Sequence, residues 1–208
     1  MNAAELRNDL ESTYETELSR LGSSKSMYAA TEGEMETDAV LSAMADRAHA
    51  AAETFDAWTA ETTDTVLADV FGSLAADQHG QAERIDEAGG ETPIDNPTAL
   101  QRHLRGLSTD VERVGGLLAW TLVTDRTLSQ AVGFFVGNAD PSSADLFRNL
   151  RGEIEGAGDR TEEILETVCD GSGDWKRAEA AASEAIETAY DEYVDTLDSM
   201  GVKVKPVC

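Results

Sequence analysis

The side chain with the most chemical leverage in this sequence is Asp125. It lies near the middle of the most apolar stretch, Gly116–Asp140 (GLLAWTLVTDRTLSQAVGFFVGNAD), and shares a helical face with Leu118, Leu122, Leu128, Val132 and Val136 at steps of three and four. A carboxylate on an apolar face needs a counter-charge or hydrogen-bond donors, because burying it alone is strongly unfavourable. The expected answer is an arginine from a neighbouring helix, with Arg47, Arg148 and Arg151 as candidates, or backbone donors. Other chemistry is quiet. The sequence has no glycine-rich phosphate loop, no nucleophile elbow and no zinc-type spacing. Cys169 ends a predicted helix and Cys208 closes the chain, outside any Cys-x-x-Cys pattern, so both read as reduced cytosolic thiols. Gly133 and Gly137 have small-xxx-small spacing, which reads as close packing at a turn, and Phe134 and Phe135 read as core at the hairpin tip.

The elements that would position Asp125 are helices. Leu6, Leu10, Tyr14, Leu18 and Leu21 make an amphipathic helix of residues 2–21, followed by a polar connection over 23–36. A second helix opens near Thr37-Asp38 and carries Leu41, Met44, Ala48, Ala51, Phe55 and Trp58 on one face. After a reset at Glu61–Asp64, a third runs to about Ala88 with Leu67, Val70, Phe71, Leu74, Gln78, Ala82 and Ile85, and Gly89-Gly90 stops it. Residues 89–108, with Pro93, Pro97 and one short helical turn (Thr98–Arg105), are too long for a hairpin loop and too polar for core. Ser108-Thr109 opens the fourth helix. Past Pro141, Ser142–Asp145 cap a fifth with Phe147, Leu150, Ile154, Ala157, Thr161, Ile164 and Val168. A last helix, 174–200, shows Trp175, Ala178, Ala182, Ala185, Ala189, Tyr193, Leu197 and Met200, and the tail VKVKPVC lies mobile or across the surface. The prediction is an all-α single domain over 1–208 with a bundle core at about 37–170. Four helices of about 25 residues, each ~37 Å long, form two antiparallel hairpins joined by a long crossover, the ferritin-like version of a four-helix bundle. The first and last helices are additions outside it.

Forty-one Asp and Glu face sixteen Lys and Arg, only four of them lysines, for a net charge of −25. The carboxylates are spread along the chain, which describes a solvated surface rather than a disordered arm. With lysine scarce, this is the composition of a protein from a salt-accumulating halophile. The same charge and the lack of any basic patch oppose direct nucleic-acid binding. No apolar run approaches the ~20 residues that cross a bilayer, and the acidic N-terminus has no signal region. Both point to a cytoplasmic protein without a membrane.

The segment Phe71-Gly72-Ser73-Leu74-Ala75-Ala76-Asp77-Gln78-His79 resembles the second-helix segment of rubrerythrins and other ferritin-like proteins, over about residues 38–168 as a pattern. Most of the chain, including GFFVGNAD and the KPVC ending, also looks like a group of haloarchaeal proteins, some labelled rubrerythrin-like and some transcription antitermination proteins. The resemblance implies a ferritin-like fold and, in its metal-bearing members, Glu-x-x-His pairs on two helices with a Glu from each of the other two. This sequence has no Glu-x-x-His: Ala76 stands three before His79, Glu153-Ile154-Glu155-Gly156 ends in glycine, and Glu53 falls off its helix's apolar face. A reduced site implied by the resemblance would draw on Asp125, Glu153, His79 and Asp77 or His49, holding iron or manganese.

Three readings follow. The first is a non-catalytic ferritin-like scaffold or adaptor without cofactor, working through a protein partner or as a homodimer, with a transcription-related role exerted through proteins. The second is a carboxylate oxidoreductase or ferroxidase of rubrerythrin type on that reduced site. The third is a bundle whose interior binds a small hydrophobic ligand. Asp125 separates the first two: an arginine partner favours the scaffold, and convergence with Glu153 and His79 favours the enzyme.

Overall fold

The computed structural model of the 208-residue chain describes residues 1–90 and 97–204. Among the described residues every regular element is an α-helix, nine in all and no strand. They are α1 (Ala3–Thr13), α2 (Glu15–Leu21), α3 (Ser24–Ala30), α4 (Thr37–Glu61), α5 (Thr65–Glu87), α6 (Ala99–Arg105), α7 (Asp110–Gly137), α8 (Pro141–Val168) and α9 (Ser172–Ser199).

Local chemistry sets the ends of the long helices. Asp64 caps α5, its carboxylate accepting from the Val66 and Leu67 amides at 2.8 and 3.1 Å. Thr109 and Glu112 form a capping box at the start of α7, each side chain accepting from the other's backbone N–H. Asp140, rather than the expected Ser142–Asp145 segment, caps α8 by accepting from the Ser143 amide at 3.1 Å. That shift lets Pro141 occupy the first helical position, where its missing N–H costs nothing.

The register of cross-helix contacts gives the topology. His49 meets Asp86 and Asp56 meets His79, so residue numbers rise along α4 as they fall along α5. Asp125 meets Arg151 and Phe135 stacks on Phe147, which makes α7 and α8 antiparallel too. Across the two hairpins, Phe55 packs edge-on to Trp120 and Thr62 bonds Asp110, while Asp77 pairs with Arg160 and Gln81 with Glu153. Every neighbouring pair among these four helices is therefore antiparallel, and α5 and α7 run the same way. Such a pair needs a connection that travels the length of the bundle, and the segment containing α6 supplies it.

An aromatic cluster of Phe55, Trp58, Phe71 and Trp120 fills one end, with ring centroids 4.9–5.5 Å apart. The other end is closed by Phe135 on Phe147, 5.3 Å apart and nearly parallel. Helix α7 is the axis of the molecule, since every residue from Arg113 to Val123 is buried. On its outer side α9 lies parallel to it and very close. A Cβ on Gly115 would sit 2.7 Å from the Ala178 Cα, and one on Gly116 would strike Leu107 and Leu104 at 2.5 and 2.8 Å. The apolar side chains of α1 to α9 form one continuous core.

Several expectations need correction. The predicted helix 2–21 breaks at Tyr14, whose backbone leaves the helical region, giving α1 and α2. The "polar connection" 23–36 contains α3, with Met27 and Ala29 buried. The crossover helix α6 is core rather than merely polar, because Leu100, Gln101 and Leu104 are buried. Val136 is 54% exposed rather than on a buried face, one residue from the end of α7 at Gly137. Gly133 and Gly137 face open space, so they are not a packing device. Val202 and Val204 of the tail pack against the core, and Pro93 and Cys208 lie outside the described residues.

Candidate functional site

The residues with chemical potential are held by four different helices, and each is committed to a neighbour. Asp125 on α7 accepts from Arg151 Nε on α8 at 2.6 Å, and this hydrogen bond holds the Arg151 guanidinium above its ordinary pKa. Of the three arginines considered, Arg151 is the partner. Arg148 instead pairs with Asp145 one turn away, and Arg47 lies elsewhere. The Asp125 side chain retains 21% of its exposure, so the pair is partly solvated rather than sealed.

Glu153 on α8 receives both terminal nitrogens of Arg84 on α5, at 2.9 and 2.6 Å, and the Gln81 amide at 3.0 Å. The hydrogen bond to Glu153 raises the Arg84 pKa. Asp77 accepts from Arg160 Nη2 at 2.9 Å. His79 faces Asp56 at 2.9 Å with its side chain 53% exposed, and His49 faces Asp86 at the same distance on the α4–α5 seam. The five side chains of the implied metal site thus occupy five separate inter-helix pairs. Among the described residues no three His, Cys, Asp or Glu come together in a way that would hold a metal ion.

Glutamines occupy the interior instead. Gln78 and Gln81 point into the bundle at i, i+3 spacing, each only 3% exposed. Gln101 on α6 accepts from the Thr54 hydroxyl at 2.9 Å, and Arg105 Nε donates to that hydroxyl at 3.1 Å. The inward pair on α5 is therefore two residues away from the 76/79 pair used in the sequence comparison, a helical rotation of about 200°, and the His79 side chain is 53% exposed. Gln78 already stood on the predicted apolar face. Its partner three residues on was the available signal, unread because glutamine is not a metal-ligand type. Amides carry no charge to offset a divalent cation, so this interior suits hydrogen bonding rather than Lewis-acid chemistry.

Two neighbouring cavities with shared bordering residues adjoin this interior. The inner one, about 40 Å³, is bordered by Gln78, Gln81, Gln101, Thr124 and Trp120. It has room for about one water molecule by volume and none for the hydrophobic ligand of the third reading. The outer one, about 230 Å³, lies between α3, α4, α6, α7 and α9, and Arg47 borders both. Burial lowers the Arg47 pKa, with Glu192 and Asp46 acting in the opposite sense.

Cys169 is buried, and burial, together with Asp174 and Glu166, pushes its thiol up to about 11, so it is no nucleophile at neutral pH. No helix among the described residues is long and apolar enough to cross a membrane. Comparison with protein-family models, with curated proteins and with solved structures finds no match.

Proposed function

We propose that this protein is a non-catalytic helical scaffold built on the ferritin-like arrangement of four helices, acting through contacts with other proteins. The observation that carries the reading is the dispersal of Asp125, Glu153, His79, Asp77 and His49 into five separate polar pairs along three inter-helix seams, α7–α8, α5–α8 and α4–α5. The antiparallel neighbours, the parallel α5 and α7 and the long crossover between them support the ferritin-like topology. Gln78 and Gln81 occupy the i, i+3 spacing at which a di-metal member of that class carries glutamate and histidine. Topology alone supplies no activity, so the reading rests on the side chains.

The net charge of −25 adds the setting. Such a surface disfavours phosphate backbones and suits a salt-accumulating cytoplasm, so a transcription-related role would run through a protein partner or a homodimer. The test is elemental mass spectrometry of protein purified in high salt without chelator or metal-affinity resin. Metal well below one ion per chain, unchanged in Asp125→Ala, is expected. One or two iron or manganese ions per chain that disappear with Asp125 would overturn the scaffold reading.

A further inference from the structure

The outer cavity has a chemistry that the scaffold reading leaves unused. Its lining is mixed, with Leu21, Val123 and Ala189 beside Ser26, Thr98 and Tyr193, and its volume of about 230 Å³ corresponds to roughly eight waters at ~30 Å³ each. That is the size of a molecule with about eight non-hydrogen atoms. Among the described residues one cation, Arg47, borders it, on the side where it also meets the inner cavity. Glu192, Asp46 and Glu32 border it as well.

These charges do not neutralise one another by direct contact. Among the described residues no ion pair holds Arg47, and Glu192 and Asp46 act on it through space. Glu192 is used from the other side: it accepts the Ala99 amide at 2.6 Å and Arg102 Nη2 at 3.4 Å, which fixes it at the start of α6. Asp46 also has a partner of its own. The cavity therefore keeps a positive group at its inner side and several carboxylates around it, with small aliphatic and hydroxyl-bearing side chains between.

A simple anion would meet the carboxylates, and a simple cation would meet Arg47. A fatty or aromatic ligand would leave the guanidinium desolvated and unanswered, which is costly. We propose that this cavity binds a small aliphatic zwitterion of amino-acid size. Its carboxylate would lie on Arg47, flanked by the Thr98 and Thr127 side chains, and its ammonium group toward Glu192 and Glu32. Arginine suits this role because its planar fork meets a carboxylate with two parallel hydrogen bonds. The proposal does not depend on whether the bundle is catalytic.

Thermal unfolding at fixed ionic strength tests it, since a ligand that binds only the folded state stabilises it in proportion to the logarithm of its concentration. The probes are aliphatic α-amino acids and their N-methylated betaines, with isobutyrate and isobutylamine as single-charge controls of matched size. At least one zwitterion is expected to raise the melting temperature in a saturable way, while neither control does so at the same concentration. Arg47→Gln is expected to weaken the apparent affinity at least tenfold. If that variant does not fold, Ala189→Leu, which fills the cavity from α9, is expected to abolish the shift. No response to any zwitterion, an equal response to isobutyrate alone, or an undiminished response in either variant would overturn the proposal.

Discussion

Two seams of this molecule are built in opposite ways. Where α7 meets α9, the chain uses glycine against backbone: Gly115 admits the Ala178 main chain so closely that a methyl group would lie 2.7 Å from its Cα. Where α5 meets α8, the seam is stitched by long charged side chains, Arg84 to Glu153 and Arg160 to Asp77, with both pairs partly exposed. The first seam is dry and intolerant of added volume. The second is wet and adaptable. The carboxylates that could serve a metal lie on or beside seams of the second kind, where arginine and water reach them. A metal centre needs the reverse, with ligands turned into a closed interior.

Substitutions on the dry seam should have the largest effects. Gly115→Val forces atoms into a backbone, and overpacking typically costs about 1–3 kcal/mol, more when the obstacle cannot move. Because the obstacle here is main chain rather than a flexible side chain, the expected outcome is no cooperative unfolding transition in denaturant. Gly133→Ala on the same helix is the control. Nothing lies within 4 Å of its Cβ position, so the gain in helix propensity should make it neutral or stabilising by up to about 1 kcal/mol. If both glycines behave alike, the contrast between the seams fails.

Phe135→Ala comes next. The ring is fully buried and stacked on Phe147, and truncating such a residue costs about 3–5 kcal/mol, or less if α7 and α8 collapse toward each other. Glu153→Gln on the wet seam should cost no more than about 1 kcal/mol, because its pairs are solvated and salt-screened. A loss comparable to that of Phe135→Ala would mean that the charged seam is a structural core in its own right.

Cys169 supplies a pH test. Its folded pKa of about 11 lies above the ordinary thiol value of 9.0, so the native state favours the protonated form. The associated stability is fully present below pH 9 and is lost as the pH rises from 9 toward 11. Alkylation by iodoacetamide at pH 8 should accordingly be slower for this thiol in folded than in urea-unfolded protein. Equal rates would contradict the burial. Last, raising salt from 0.1 to 1 M shortens the screening length from about 10 to 3 Å, which should relieve self-repulsion and raise the melting temperature by a few degrees.

The long helices were legible because their apolar periodicity is strong. Leu67, Phe71, Leu74, Ala82 and Ile85 define α5, and Trp175 through Leu197 define α9, as the spacing predicts. Short helices were not: α3 has only two buried apolar residues, and its meaning depends on what covers it. The break at Tyr14 is equally silent, since the apolar stripe continues across it. At the site, the arginine answer to Asp125 was legible from charge balance, but which arginine was not, because Arg148 and Arg151 differ only by register between α7 and α8. The inward-facing pair on α5 was missed for a related reason. A shift of two residues exchanges positions 76 and 79 for Gln78 and Gln81, and although the apolar stripe carried Gln78, it did not mark Gln81, which faces Glu153 across the α5–α8 seam.

The central claim is that the carboxylates are diverted from the interior into inter-helix ion pairs. Crystals soaked in manganese and measured at an X-ray wavelength that reports its anomalous scattering test this most directly. The account predicts no peak between α5, α7 and α8, with Asp125 still on Arg151 and Glu153 still on Arg84. An ordered manganese ligated by Asp125 and Glu153, with both arginines displaced, would contradict it.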